Sequence, residues 1–272
     1  MGNRWIVYPY HIWMLIFTVV PLMLIFWYAF TVKGEWQFTL ENINRVMDPI
    51  YLSVFMHSIY LALLSTLVCF ILGYPMALIL AEAPIKYRNM LVLLVVIPMW
   101  MNFLLRTYAW MTLLERKGLI NTLLVSLHLP PLQILYTDYA VILGMVYNFL
   151  PFMILPIYSV LMKMDKSLLE AAGDLGADRW TSFRKITFPL SLPGVYAGML
   201  MVFMPAVTTF VISRLLGGGQ YTLIGNLIEQ QFLMVGDWNF GSALSVGMMI
   251  LILCSLGFMS RYEKEKEGGL FW

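Results

Sequence analysis

The charged side chains of this chain are concentrated in one short segment between two apolar runs. Residues 163–185 read KMDKSLLEAAGDLGADRWTSFRK, with five basic and four acidic residues, and the chain continues as ITFPLSLPG. Charged side chains are almost never fully buried unless they are paired. The segment is therefore predicted to contact water or a protein partner, and its chemistry is that of a solvated or docking surface.

The first half of this segment has the pattern of a short amphipathic helix. Glu170 and Asp174 are four residues apart and share one face of such a helix. Gly176 is placed to end it, because glycine tolerates the left-handed conformation of a C-terminal cap. An apolar stripe recurs at i, i+4 and i+7 and consists of Leu168, Ala172 and Leu175. The spacing predicts a helix that ends near Gly176.

A second short helix is predicted after this glycine. Asp178 can cap its start, and Trp180 and Phe183 lie on one side of it. Pro189 then marks the transition into the next apolar run. Two interpretations fit such a pair of helices: an ordinary loop that rests on the membrane surface, or a docking element for a cytoplasmic partner.

No catalytic or metal-binding motif accompanies the charged segment. The sequence has no Gly-Lys dipeptide, which excludes a Walker phosphate loop, and no H-E-x-x-H or G-x-S-x-G pattern. His11, His57 and His128 are scattered along the chain and do not have metal-ligand spacing. We therefore expect no catalytic residue, no metal and no cofactor, and the chain is not expected to be an enzyme.

The remainder of the sequence is dominated by apolar residues. Of the 272 residues, 61% are hydrophobic and 12% are charged, which is about half the charged share of an average soluble domain. The 17 Lys and Arg nearly balance the 15 Asp and Glu, so the net charge is +2. This composition excludes a soluble enzyme, a disordered chain and a nucleic-acid-binding protein, and it indicates a membrane protein.

Uncharged runs long enough to cross a bilayer as helices occur along the whole chain, since a span takes about 20 apolar residues. Long continuous runs favour helices over the short alternating strands of a membrane barrel. The predicted fold class is an all-α polytopic membrane protein. Its six transmembrane helices are predicted at about 11–32, 57–80, 90–111, 139–161, 191–213 and 239–260.

The distribution of Lys and Arg among the connections predicts the orientation. With both termini inside, the cytoplasmic segments hold 11 of these residues and the outer segments hold six. Cytoplasmic loops carry the excess of positive charge, so both termini are predicted to be cytoplasmic. Three parts are predicted: an N-terminal helix with an outer loop at 1–56, a transmembrane domain at 57–260 that includes the loop 163–189, and a cytoplasmic tail at 261–272.

The charged segment resembles the EAA loop of binding-protein-dependent ABC importer permeases, whose pattern is E-A-A-x3-G-x9-I-x-L-P. The matching residues are Glu170, Ala171, Ala172, Gly176, Ile186 and Pro189. Phe188 is the one departure, at the place where the family has leucine. The resemblance covers about residues 57–260. It implies the type I importer permease (MetI-like) fold in a bacterial cytoplasmic membrane.

The resemblance also implies how the loop 163–189 works. The helix around residues 167–175 would be the coupling helix that sits in a cleft of an ATPase subunit, with Glu170 facing a polar group there. Gly176 would set the angle between the two short helices. The implied coupling residues are Glu170, Ala171, Ala172, Asp174, Gly176, Ile186 and Pro189. ATP and Mg would be used by the ATPase subunits, and the other implied partners are a second homologous permease and an extracytoplasmic solute-binding protein.

Within this family the chain is similar to the polyamine branch, the spermidine/putrescine permeases, and more to the B-type subunit than to the C-type. The similarity lies in residues 57–81, 150–161, 221–233 and 237–247. It implies alternating-access uptake of a flexible chain of ammonium groups. A path for such a solute should offer aromatic faces and a few oxygen ligands.

The candidate residues for this substrate path are Trp100, Asn102, Tyr108, Tyr147, Asn148 and Asp237. Tyr147 and Asn148 are the preferred pair, because they lie mid-span beside Pro151. The alternative for each aromatic residue is a place at the membrane interface, where Trp and Tyr gather in any membrane protein. Arg106 and Arg214 disfavour a polyamine if they line the path, and at span ends they are expected to extend to the outer interface.

Two alternative functions remain open on the sequence. One keeps the family and changes the solute to an amino acid, an inorganic anion, iron or a sugar. The other is a secondary transporter or channel that works alone. Such a protein normally needs an acidic residue or a histidine within the membrane for ion coupling. In this chain no carboxylate is predicted mid-membrane.

Overall fold

The computed structural model describes residues 8–219 and 222–268, with side chains up to residue 257. The helices are α1 (Tyr8–Ala29), α2 (Glu41–Val46), α3 (Pro49–Glu82), α4 (Ile85–Trp100), α5 (Phe103–Leu114), α6 (Leu119–Ser126), α7 (Asp138–Lys163), α8 (Ser167–Asp174), α9 (Arg179–Thr208), α10 (Val211–Leu216), α11 (Ile224–Gln230), which continues as a π-helical turn (Gln231–Val235), and α12 (Trp238–Gly268). Outside the helices, the described residues contain one isolated antiparallel bridge, between Thr31 and Phe38. The predicted all-α fold is confirmed.

Five of these helices are long and apolar enough to cross a membrane: α1, α3, α7, α9 and α12. They correspond to five of the six predicted spans. A sixth crossing results if the bent pair formed by α4 and the following segment is counted as one span. Only 6% of the α1 window is buried in the protein, whereas 61% of the α7 window is buried. The apolar side chains of α1 are therefore almost all exposed, as lipid contact requires.

The prediction of one straight helix over 90–111 is wrong. The helix α4 ends at Trp100, and the segment Phe103–Ser126 bends away from it by 91°. Met101 and Asn102 have extended backbone conformations, and the Asn102 side chain caps the next helix by accepting hydrogen bonds from the amides of Leu104 (2.9 Å) and Leu105 (3.3 Å). A hydropathy window averages over this cap, because both sides of it are apolar.

The fifth span ends earlier than predicted and also begins earlier. It was expected over 191–213, but α9 ends at Thr208, Thr209 is extended (ψ 136°), and α10 begins at Val211. At its other end α9 reaches well before the apolar run, to Arg179. One continuous helix, α9, therefore runs from the charged loop into the membrane-spanning region.

The described residues form two compact units: 8–57 with 223–257, and 58–219 with 222 and 258–268. In the first unit, the buried Asn239 amide donates to the Thr31 carbonyl oxygen (2.8 Å) and the Tyr28 carbonyl oxygen (3.0 Å), and Asn42 donates to Thr31 as well (3.0 Å). These bonds fix the loop that follows α1. The predicted boundaries at residues 56 and 260 stay a prediction, and residues 269–272 of the predicted tail lie outside the described part.

In the second unit, α7 and α9 pack closely through small residues. A Cβ atom at Gly194 would lie 2.9 Å from the Pro156 carbonyl oxygen, and one at Gly198 would lie 2.9 Å from the Met153 sulfur. Met153 and Ile157 are fully buried beneath this contact. Glycines four residues apart let two membrane helices approach at backbone distance. The charged loop connects these two helices, so their packing holds both of its ends.

Candidate functional site

The first helix of the loop 163–189 is α8, and an aspartate side chain fixes its start. The Asp165 carboxylate accepts a hydrogen bond from the Ser167 amide (2.9 Å). This backbone bond, followed by the bond from the Ser167 hydroxyl, lowers the pKa of the Asp165 carboxyl below its usual value. The charged form is therefore favoured at neutral pH, where it holds the N-terminus of α8.

The end of α8 has the geometry that the sequence predicts. Gly176 has a φ of +80°, which is the left-handed region. Its amide donates to the Gly173 carbonyl oxygen and the Ala177 amide donates to the Ala172 carbonyl oxygen, both at 2.9 Å. This pattern is a glycine C-cap. The prediction that Gly176 ends the helix is confirmed.

One face of α8 is open. Glu170, Ala171 and Asp174 are exposed, and Leu175 is 88% exposed. The predicted apolar stripe packs only in part, because Ala172 is buried (9%) whereas Leu168 is 44% exposed. The exposed side of α8 therefore presents two carboxylates, a small residue and, just after the helix, a leucine.

The second helix of the loop is the beginning of α9. The Asp178 side chain accepts a hydrogen bond from the Thr181 amide (3.3 Å), which confirms the predicted cap. The hydrogen bonds from Thr181 lower the pKa of the Asp178 carboxyl below its usual value, so this cap is also charged at neutral pH. A π-helical turn at Phe183–Thr187 follows; Ile186 within it and Pro189 after it are half-buried.

Sequence reasoning missed the residues that attach this second helix to α3. The Tyr74 hydroxyl lies 2.8 Å from the Ser191 hydroxyl, and the Tyr74 ring contacts the rings of Phe183 and Phe188 at centroid distances of 5.9 and 5.6 Å. Phe188 is the position at which the chain departs from the importer-loop pattern. An aromatic residue at this position was the one sign in the sequence of an aromatic contact with another helix.

The preferred path residues Tyr147 and Asn148 are neighbours on α7 with different surroundings. Tyr147 contacts the Trp110 ring (5.3 Å between centroids). It also lines an apolar cavity of about 410 Å³ together with Leu150 and Pro151. Asn148 is buried (2%), donates to the Gly144 carbonyl oxygen (2.8 Å), and has no partner for its Oδ1 among the described residues. An amide oxygen without a donor is a candidate ligand for an ammonium group.

The other path candidates of the second unit are on the surface of the described chain. Trp100 is 76% exposed and Tyr108 is 47% exposed. The Asn102 side chain is used as the cap of α5. The structure therefore brings Tyr147 and Trp110 together and does not gather Trp100, Asn102 and Tyr108 around them by any described contact.

Asp237 belongs to the first unit and has structural partners there. Its carboxylate forms an ion pair with Arg45 (3.1 Å) and accepts from the Phe240 amide (3.2 Å) at the start of α12. The Arg45 guanidinium lies 4.1 Å from the Phe240 ring centroid. A cation already neutralises this carboxylate, so an ammonium group would have to displace Arg45 to bind it.

The two span-end arginines differ from each other. Arg214 is exposed, as expected of a residue at an interface. Arg106, by contrast, is buried (7%), and its Nε and Nη1 find no acceptor in the part of the chain that the structure describes. The expectation that Arg106 extends to the interface is wrong, because α5 starts at Phe103 and turns this side chain inward. Across residues 8–219 and 222–257, no group of three His, Cys, Asp or Glu could hold a metal.

Comparisons with known proteins agree with this architecture. The chain is 42% identical over 247 residues to the spermidine/putrescine transport system permease protein PotB of Escherichia coli (strain K12), covering 88% of this chain and 90% of the relative. It is 40% identical over 247 residues to PotB of Haemophilus influenzae, covering 88% and 86%.

A solved structure of a bacterial alginate ABC transporter, in complex with an alginate pentasaccharide-bound periplasmic protein, has the same fold. Its TM-score is 0.81 at 19% identity, and the match covers 96% of this chain and 94% of that chain. The model of the family described as "binding-protein-dependent transport system inner membrane component" matches residues 73–264. The chain therefore belongs to this family, as the inner-membrane permease component of an ABC importer.

Proposed function

We propose that this permease takes up spermidine or putrescine by ATP-driven alternating access. The observation that carries the proposal is the 42% identity, over 88% of this chain, to a permease named for these two solutes. The unpartnered Asn148 oxygen and the adjacent Tyr147 and Trp110 rings supply an oxygen ligand and π faces of the kind that ammonium groups bind. No bound cofactor is assigned to the chain.

The loop 163–189 is proposed as the coupling element for ATPase subunits. Its exposed face supports this role, because Glu170, Asp174 and Leu175 are presented to a partner while the caps at Asp165 and Gly176 fix the helix that carries them. ATP and Mg are used on the ATPase subunits. Ile186 and Pro189 anchor the loop at the level where α9 becomes membrane-spanning.

The proposed assembly contains four kinds of component. This chain pairs with a second homologous permease, two ATPase subunits bind on the cytoplasmic side, and a solute-binding protein delivers the polyamine from outside. Both termini are cytoplasmic in this arrangement, which places the loop 163–189 on the ATPase side. The excess of Lys and Arg in those segments supports the orientation.

A competition assay tests the choice of solute. Cells that lack other polyamine uptake, and that express this permease with its partner subunits, are given labelled putrescine with an excess of unlabelled solute. Spermidine and putrescine should abolish label uptake, whereas an amino acid, a sugar, an inorganic anion or ferric iron should not. If one of these other solutes competes and the polyamines do not, the chain is still an importer permease but the proposed solute is wrong.

A further inference from the structure

Two hydroxyl groups join α3 to α9 inside the second unit. Tyr74 is 5% exposed and Ser191 is fully buried. The Ser191 hydroxyl donates to the Phe188 carbonyl oxygen (2.9 Å), so in the 2.8 Å contact between the two hydroxyls Tyr74 is the donor and Ser191 the acceptor. A buried hydrogen bond between neighbouring helices resists separation, because breaking it leaves a donor without water.

Aromatic rings surround this hydrogen bond on the side of the charged loop. The Tyr74 ring contacts Phe183 edge-on (5.9 Å, 80°) and Phe188 at a tilt (5.6 Å), and it contacts Phe70 of its own helix (5.7 Å). Trp180 in turn stacks on Phe183 (5.6 Å). Such pairs add stability beyond their buried area and prefer particular relative orientations. We call Phe70, Tyr74, Phe183, Phe188 and Ser191 the Tyr74 cluster.

The Tyr74 cluster contacts α9 at both ends of its π-helical turn. Phe183 is the first residue of the π-helical turn at Phe183–Thr187 and Phe188 directly follows it, and the turn separates the short loop helix from the rest of α9. A π turn has irregular hydrogen bonding and is a place where a helix can bend. Because the Phe183 and Phe188 rings both contact Tyr74 of another helix, bending at this turn would break aromatic contacts and tilt Ser191 away from Tyr74.

We propose that the Tyr74 cluster makes the loop end of α9 move together with α3, so that displacement of the loop reaches a second membrane helix instead of being absorbed at the π turn. Tyr74 and Ser191 are therefore positioning residues for coupling. The inference rests on the proposed function of the loop 163–189. Phe188 serves this contact because a leucine side chain has no ring to place against Tyr74.

The first test measures ATP hydrolysed per polyamine imported by the assembled transporter in proteoliposomes. Tyr74→Phe removes the hydroxyl, keeps the ring, and leaves the Ser191 hydroxyl bonded to the Phe188 carbonyl. Loss of one such bond should raise the ATP cost per solute about three- to tenfold. Tyr60→Phe is the matched control on the same helix, because Tyr60 is 59% exposed. Equal ratios for the two variants would overturn the proposal.

The second test does not depend on transport. Spin labels at Ile79→Cys on α3 and Arg184→Cys on α9, both exposed positions, report the distance between the two helices in the assembled complex. We expect the wild-type distance to stay constant when ATP binds and the Tyr74→Phe distance to change. If the wild-type distance changes as much as the variant's, the Tyr74 cluster does not hold the loop end of α9 to α3, and the proposal is wrong. Absence of ATP-dependent uptake in the wild type would instead reject the proposed function.

Discussion

Two glycines in the loop 163–189 differ in backbone conformation and in little else. Gly173 lies inside α8, whereas Gly176 has a φ of +80°. No described atom lies within 4 Å of a Cβ built at either position. Space therefore does not explain why glycine is needed, and the difference between the two sites is the cost of a left-handed conformation for a residue with a side chain.

This pair gives the sharpest test of the loop at the residue scale. Gly176→Ala should destabilise the turn by about 1 kcal/mol and lower uptake relative to ATP hydrolysis, because the left-handed backbone is strained. Gly173→Ala should leave coupling unchanged, since alanine favours the helix by roughly 0.5–1 kcal/mol. Gly176→Asn should fall between them. The measurement is the ratio of uptake to hydrolysis, and equal ratios for the two alanine variants would contradict the role of Gly176.

Arg106 carries a second prediction at this scale. Replacing it by methionine should raise the thermal midpoint of the purified permease, because two buried guanidinium nitrogens without an acceptor cost about 1–3 kcal/mol. Arg116→Met is the control, since Arg116 is exposed and surface changes usually stay within about 0.5 kcal/mol. A lower midpoint for Arg106→Met alone would mean that the guanidinium does have a partner in the purified protein.

Single residues were predictable where their role is local. The caps at Asp178 and Gly176 follow from side-chain and backbone preferences a few residues apart, and the sequence predicts both. The Tyr74–Ser191 bond joins residues 117 positions apart, and the burial of Arg106 depends on where α5 starts. Neither follows from periodicity, because each depends on which helices become neighbours.

At the scale of elements, the contact between α7 and α9 determines where the loop 163–189 is held. Its close approach rests on glycines that face backbone atoms of α7, which cannot move aside as a flexible side chain would. The sequence contains this pair as Gly194-x-x-x-Gly198, a pattern that is weak evidence by itself. The structure shows that the helix packed against this glycine pair is α7.

Gly194→Val should therefore lower the folded yield and thermal midpoint of the permease, since a Cβ would lie 2.9 Å from the Pro156 carbonyl oxygen and 3.0 Å from the Ile157 Cα. Overpacking of this kind costs roughly 1–3 kcal/mol. Gly257→Val, at an exposed helical site with no described atom within 4 Å of the Cβ, is the control. Equal midpoints for the two variants would show that α7 and α9 are not packed at backbone distance.

The break between α4 and α5 shows what hydropathy cannot predict. Both helices are apolar, so the run reads as one span, and the 91° bend depends on two extended residues and the Asn102 cap. The sequence predicts Asn102 as a substrate contact. An asparagine directly before an apolar helical run is also a helix-start signal, and that interpretation is the one the geometry supports.

At the scale of the whole molecule, the distribution of charge separates two kinds of surface. Most helices present apolar side chains, and the loop 163–189 carries nine of the charged residues within 23 positions. The family and its fold were predictable from this loop, because its motif is long and specific. The solute path was not, since side chains such as Asp237 and Asn102 have structural partners that no sequence pattern displays.

The most direct test of the account is uptake of labelled putrescine into proteoliposomes that contain this permease, its homologous partner and the ATPase subunits, with the solute-binding protein outside. We predict uptake that requires ATP in the ATPase compartment and stops when the ATPase subunits are omitted. Uptake by this chain alone, driven by an ion gradient without ATP, would contradict the account.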